Sequence, residues 1–245
     1  ILIEYGADVR NNNADYKRTP LHVACENKQL KVAERLIEAD RRTLHCEDQY
    51  ERIPLHSAVD AGDLPMVKLL IGNGSDIDRA SEPDGYTPLM LAVRQNRTSI
   101  AEALIDAGAD VNDTNFKGHS ASYIACCKGN AELVELLINR GAMLLGSRYS
   151  HQRLLQTVIA KCRTLRDRDA VHAIVRLLVE REGYDVNQKN WEGYTPLHVA
   201  AWTKDAAWML QYLIDNGANV EETDRRGFTP LHHASKHGHF EHVQI

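Results

Sequence analysis

The sequence predicts an all-α fold, a solenoid of short helix-turn-helix units stacked in a row and joined by β-hairpin loops. Three observations predict it. Five of the seven prolines stand at positions 20, 54, 88, 196 and 230, so successive gaps are 34, 34, 108 and 34 residues. The tetrapeptide Thr19-Pro20-Leu21-His22 recurs as Thr195-Pro196-Leu197-His198 and Thr229-Pro230-Leu231-His232, with near copies at Ile53-Pro54-Leu55-His56 and Thr87-Pro88-Leu89-Met90. A second signature closes the units: Gly6-Ala7-Asp8-Val9, Gly108-Ala109-Asp110-Val111-Asn112 and Gly217-Ala218-Asn219-Val220. Self-similarity at 20–50 residues marks stacked supersecondary units, each unable to bury its apolar face alone.

Each element of the unit has a local cause. The Thr hydroxyl before proline can cap a helix, and proline at the first helical position loses no hydrogen bond because that N–H is unsatisfied anyway. Gly62, Gly129 and Gly238 fall where this first helix should end, as left-handed C-caps. A second helix follows with apolar spacing at Val67, Leu70 and Ile71, or at Ile100, Leu104 and Ile105, and closes at Gly74, Gly108 or Gly217. The connecting turn, such as Glu82-Pro83-Asp84-Gly85, supplies the glycine of a tight hairpin. Lys17 and Glu51 take that glycine's place in two hairpins, a substitution that strains the backbone wherever φ is positive.

The motifs TPLH and GADVN at this period resemble the ankyrin-repeat family, over essentially the whole chain. The expected organisation is the end of a repeat at 1–13, regular repeats at 14–47, 48–81 and 82–114, and a degenerate repeat at 115–146. An atypical repeat then spans 147–189, with an insertion near 163–171, before a regular repeat at 190–223 and a truncated one at 224–245. Aligning the second helices puts the proline-equivalents of the two irregular repeats at Ala121 and Arg153. The charged run Arg166-Asp167-Arg168-Asp169 falls in the insertion, as a solvated loop or a partner contact. Because both ends fall inside a repeat, an internal piece of a longer protein is the expectation.

Composition excludes several functions. A net charge of −5, with 29 Lys and Arg against 34 Asp and Glu, argues against nucleic acid, whose binding needs clustered cations. No run of about 18 apolar residues would insert in a membrane, and the first ten residues lack the basic start of a signal peptide. Five cysteines, Cys25, Cys46, Cys126, Cys127 and Cys162, form no CxxC pair and read as free thiols in an intracellular, cytoplasmic setting. Cys126 is expected in the packed face and Cys127 toward the groove.

No catalytic constellation, cofactor motif or small-molecule site emerges. His22, His56, His198 and His232 share one repeat position, where the resemblance implies bonding within and between repeats. His232, His233, His237, His239 and His242 cluster near the C-terminus, but no Cys or carboxylate completes a zinc set, so neither metal nor cofactor is expected. Met143 and Leu145 replace the polar residues of GADVN and would either pack on the following repeat or mark a docking patch.

The resemblance implies a non-catalytic scaffold that binds another protein, or a segment of its own polypeptide, on a concave face of hairpin tips and first helices. Mapped here, that face comprises Tyr16, Arg18, Tyr50, Arg52, Asp84, Tyr86, Phe116, Lys117, Arg148, Tyr149, Trp191, Tyr194, Arg225, Arg226 and Phe228 from hairpins. First helices add Arg94, Lys128 and Trp202, with Glu26, Asp60 and Lys236 beside them. Aromatic residues and arginine dominate interface energetics; stacking of the hairpin rings on adjacent repeats is the structural alternative. Two other roles stay open: the cytoplasmic array of a membrane channel or membrane-skeleton adaptor, and substrate recruitment for a ubiquitin ligase. The resemblance also implies hydroxylation at Asn112 and Asn187, which match the asparagine of GADVN.

Overall fold

The computed structural model of the chain describes residues 1–144, 148–161, 168–181, 183–204 and 206–244, with the side chains of 148–153 and 244 outside that description. Helices dominate, and no strand is formed among the described residues beyond two isolated bridges, Ser81 with Tyr86 and Thr114 with Ser120. The chain divides into two compact units: residues 1–124 with 139–143, and residues 125–138 with 144–245.

In the first unit the helices pair as α1 (Pro20–Glu26) with α2 (Leu30–Ala39), α3 (Pro54–Ala61) with α4 (Leu64–Gly72), and α5 (Pro88–Arg94) with α6 (Thr98–Asp106). A 3-10 turn, Arg41–His45, follows α2. Proline opens each first helix from a residue in extended conformation: Thr19, Ile53 and Thr87 have ψ of 165°, 165° and 162°. Helix α1 packs on α3 and α3 on α5, and each carries a buried alanine at the same repeat position, Ala24, Ala58 and Ala92. Small side chains let neighbouring backbones approach, while Leu21, Leu55 and Leu89, fully buried beside them, each contribute about 2–3 kcal/mol of apolar burial. Helix α4 ends through glycine: Gly74 has φ of 86°, and Ser75 N–H reaches back to the Leu70 carbonyl at 3.0 Å.

Helix α7 (Ala121–Lys128) opens at Ala121 and is followed by α8 (Ala131–Asn139), whose Leu133, Val134 and Leu137 are buried. Gly129, after α7, takes the left-handed conformation, as Gly62 and Gly238 do after α3 and α13. The second unit continues with α9 (Arg148–Lys161), α10 (Arg168–Arg176), a π-helical segment Leu177–Arg181, α11 (Pro196–Trp202), α12 (Ala207–Asp215), α13 (Pro230–His237) and α14 (Phe240–Gln244). Here α11 is the hub, packed against α9, α12 and α13.

The atypical repeat departs from expectation in three ways. Helix α9 starts at Arg148 rather than at Arg153 and runs for 14 residues. A proline at the helix start forces its predecessor out of the helical region; with Arg153 there instead, nothing stops the helix from extending upstream. Arg148 and Tyr149, expected at a hairpin tip, therefore sit in the first turn of α9, and their side chains lie outside the described residues. Of the insertion, residues 168–171 belong to α10, so half of the charged run is helix rather than loop, with Arg168 and Asp169 exposed. Residues 163–167, like Leu145 and Cys162, lie outside the described residues.

Candidate partner-binding surface

Hairpins present the expected site residues, and each is built the same way. An Asn or Asp enters the turn, its N–H donates to a carbonyl four or five residues on, and its side-chain Oδ1 accepts two or more backbone N–H groups. Asp48 N–H donates to the Arg52 carbonyl (2.9 Å), while its Oδ1 accepts from Tyr50 and Arg52 (2.8 and 3.1 Å). Asn13, Asn115, Asn190 and Asp224 repeat this, and Ser81 substitutes for the acid in the third hairpin with both its N–H and its hydroxyl on the Tyr86 carbonyl. These turn anchors were not singled out from sequence, although their recurrence near 34 residues is the signal that would have found them.

Hairpins within a unit are tied in sequence by backbone. Gln49 N–H donates to Tyr16 C=O (2.9 Å), Glu82 N–H to Tyr50 C=O (2.8 Å) and Phe116 N–H to Asp84 C=O (3.1 Å). In the second unit the backbone of Arg225 lies so close to Gly193 that a Cβ there would meet its N at 2.8 Å. The Phe116 ring likewise covers Gly85, where a Cβ would come within 2.6 Å of it.

The row of tips is chemically mixed. Tyr16, Tyr50, Phe116, Trp191 and Phe228 are 46, 42, 65, 57 and 39% exposed. Arg18 and Arg52 are not free cations: Arg18 pairs with Glu26 at 3.1 Å, and Arg52 with Asp60, whose second oxygen accepts from Gln95. Each pair bridges a hairpin to the first helix after it, eight residues on. Lys117 pairs with Asp84 at 2.8 Å and holds that carboxyl below its ordinary range. Arg94 lies over the Tyr86 ring, 4.6 Å from its centroid, as Arg18 lies over Tyr16 at 5.0 Å.

Tyr194 and Trp202 sit edge to face at 4.8 Å, and both pack on His233, at 5.5 and 5.2 Å. Phe228 contacts His232 and His233, while Arg225, Arg226 and Lys128 are exposed. For Tyr194 and Trp202 ring stacking is thus a structural fact, whereas Trp191 points its surface to solvent. Met143 is exposed as well, with its N–H on Asn112 Oδ1 at 2.7 Å.

Two of the repeated histidines, His198 and His22, are bonded on both ring nitrogens. Nδ1 of His198 accepts from the Thr195 N–H and hydroxyl (3.2 and 2.8 Å), and its Nε2–H donates to the Phe228 carbonyl of the next repeat at 3.0 Å. His22 makes the same set with Thr19 and the Arg52 carbonyl, the latter at 2.8 Å. The partners fix the neutral Nε2–H tautomer and leave no lone pair for a metal. Burial lowers the pKa of His22 and His198 and brings His56 down to about 4. Near the C-terminus, His239 and His242 instead donate to the Trp202 and Ala201 carbonyls at 3.0 Å each, at the end of α11. Among the described residues no group of three His, Cys, Asp or Glu is arranged to hold a metal ion.

Asn112 and Asn187 are bridges between repeats. Asn187 donates from Nδ2 to the Gly217 carbonyl (2.9 Å) and accepts on Oδ1 from Asn219 N–H (2.8 Å); Asn112 does the same with Gly141 and Met143. Cys126 is fully buried, which pushes its thiol pKa up, while Cys127 is half-buried. None of the described cysteines Cys25, Cys46, Cys126 and Cys127 is in a disulfide.

This geometry is that of a repeat scaffold built from hairpins and paired helices. The sequence pattern "Ankyrin repeats (3 copies)" matches residues 1–81, 55–145 and 166–245, and the chain belongs to the ankyrin-repeat family. Ankyrin repeats are generally protein–protein interaction modules, and the fold is a non-catalytic one. Inversin of Homo sapiens is 31% identical over 171 residues, which cover 69% of this chain and 15% of inversin. Among solved structures, the ankyrin repeat domain of human ASB11 matches with a TM-score of 0.69 and 25% identity, covering 89% of this chain and 92% of that one. The ankyrin repeat domain of Bcl-3, a member of the IkappaB protein family, matches with a TM-score of 0.70 and 24% identity, covering 89% and 94%. No helix among the described residues is long and apolar enough to cross a membrane.

Proposed function

We propose that this chain is an intracellular scaffold that binds a protein or peptide segment along the faces formed by its hairpin tips and first helices. The observation that carries the reading is the exposure of large rings at several hairpin tips: Tyr16, Tyr50 and Phe116 in the first unit, and Trp191 and Phe228 in the second. Aromatic rings left in water are the residue type whose burial on association yields most. In the second unit Tyr194 and Trp202 supply a rigid base beside Trp191, which lowers the ordering cost of binding. In the first unit the Arg18–Glu26 and Arg52–Asp60 pairs neutralise each other, so specificity there falls to the unpaired groups. Hydroxylation at Asn112 and Asn187 belongs to the same proposal. An enzyme reaching either Cβ must first release the two bonds that each amide makes to the next repeat.

Affinity capture from cell extract with the intact chain, beside a variant carrying Trp191→Ala, Tyr194→Ala and Trp202→Ala, tests the binding reading. Loss of a dominant captured protein in the variant is expected. Identical recovery by the two chains would overturn the role of this face.

A further inference from the structure

In the first unit a notch of about 220 Å³ stands between the second and third hairpins, and Tyr50, Arg52, Pro83, Asp84, Tyr86 and Arg94 line it. That is smaller than the roughly 300–1,000 Å³ of sites for drug-sized ligands, and it suits one side chain of a longer segment. Buried Leu91 forms part of its wall.

The charges around it do not balance group by group. Arg52 is bonded to Asp60, and Asp60 is saturated by Gln95 on its other oxygen. Asp84 is bonded to Lys117 at 2.8 Å. Glu82, also on the lining, is exposed. Arg94 is exposed and lies over Tyr86 at 4.6 Å; among the described residues it makes no ion pair within 4 Å, though its charge adds to that of Lys117 in holding the Asp84 carboxyl below its ordinary range. A guanidinium over a ring and without an ion pair still has its fork of N–H donors, the groups that take a carboxylate in a two-pronged contact.

We propose that this notch is the anchor for a carboxylate side chain, Glu or Asp, of a bound peptide segment, received by the N–H edge of Arg94 with Tyr50 and Tyr86 flanking its aliphatic stem. The proposal rests on the hairpin-face reading above and adds the chemistry of the partner. A lysine at the same place meets Arg94 and is rejected. A neutral amide fits the space but loses the charge-assisted bonds.

The test is a peptide library with the central residue fixed as Glu, Asp, Gln, Lys or phosphoserine, bound to the whole 245-residue chain. Selected peptides are then titrated by fluorescence polarisation. Acidic peptides should dominate, and Glu→Gln in the peptide should weaken binding roughly tenfold, as loss of a hydrogen bond to a charged group does. Against the Arg94→Gln protein the same peptide change should matter less than about twofold, because the two substitutions remove one interaction. Arg94→Lys should fall between them. Helical circular dichroism and the urea midpoint establish that each variant is folded.

Selection without acidic preference, or a Glu→Gln penalty that persists in Arg94→Gln, overturns the anchor. A phosphoserine peptide bound tenfold more tightly than the glutamate one overturns the carboxylate assignment. If the anchor fails while Tyr50→Ala and Tyr86→Ala still abolish binding, the hairpin-face reading stands. If neither those substitutions nor the Trp191, Tyr194 and Trp202 triple variant affects the selected peptides, the hairpin-face reading fails with it, and a library that yields no binder removes both.

Discussion

His233 donates from Nε2 to Asp224 Oδ2 across 3.0 Å, and both side chains are buried. The other oxygen of Asp224 accepts the N–H groups of Arg226 and Phe228, so one carboxylate closes the last hairpin and holds the ring under Tyr194 and Trp202. Burial alone would raise this carboxyl's pKa; the bonds from Phe228 N–H, the His233 ring and Arg226 N–H outweigh it and keep the group below its ordinary range. Asp224→Ala should therefore cost about 2–3 kcal/mol, since it strands two amides and a buried imidazole. Asp224→Asn keeps an acceptor for the hairpin and should cost about 1 kcal/mol. Urea titration followed by circular dichroism measures both, and equal losses for Ala and Asn would show that the carboxamide cannot take over the hairpin bonds.

Acid sensitivity follows from the buried imidazoles. His56 is fully buried and accepts the Ile53 N–H at 3.2 Å; desolvation first, then the nearby Arg52 charge, lowers its pKa from 6.5 to about 4. His22 and His198 are shifted in the same direction by burial. A histidine whose folded pKa is depressed binds its proton more readily when unfolded. Its contribution is thus complete above about pH 6.5 and is lost as pH falls toward 4. For His56 alone the shift is worth on the order of 3 kcal/mol. The urea midpoint should drop steadily between pH 6.5 and 4.5, and His56→Gln should flatten the slope. A midpoint constant across that interval contradicts the assignment.

Features that dictate backbone were legible in sequence, and features that depend on partners across the fold were not. Pro20, Pro54, Pro88, Pro196 and Pro230 mark helix starts because they fix φ and lack an N–H. Gly62, Gly129 and Gly238 mark helix ends because their φ is positive. Where Arg153 replaces proline the boundary moves to Arg148, since an ordinary residue leaves the upstream chain free to continue the helix. The π-helical turn at Leu177–Arg181 has no signature of its own in that stretch. Arg18 and Arg52 read as binding cations because Glu26 and Asp60 lie eight residues away across a hairpin-to-helix junction, where the period of no single element applies. His233 read as a surplus histidine, while the fold buries it among four rings.

Lys28 and Asn96 extend the last point to the backbone itself. They occupy the helix-ending position that glycine fills at 62, 129 and 238, with φ of 55° and 56°, and Lys17 has φ of 54° in the first hairpin. A side chain other than glycine in the left-handed region costs roughly 1–2 kcal/mol, although Asn tolerates it better than Lys. Lys17 and Lys28 are exposed, so their replacement alters little besides the backbone. Lys17→Gly and Lys28→Gly should each stabilise the chain by about 0.5–1 kcal/mol after glycine's larger unfolded-state entropy is subtracted. Glu34→Gly, at an exposed position in the middle of α2, should do the opposite and cost about 1 kcal/mol, because glycine there gains nothing from its freedom. The sign is what the experiment reads: urea midpoints rising for both lysine variants and falling for Glu34→Gly. A fall in all three would mean that the left-handed lysines are held by contacts whose loss outweighs the relief of strain.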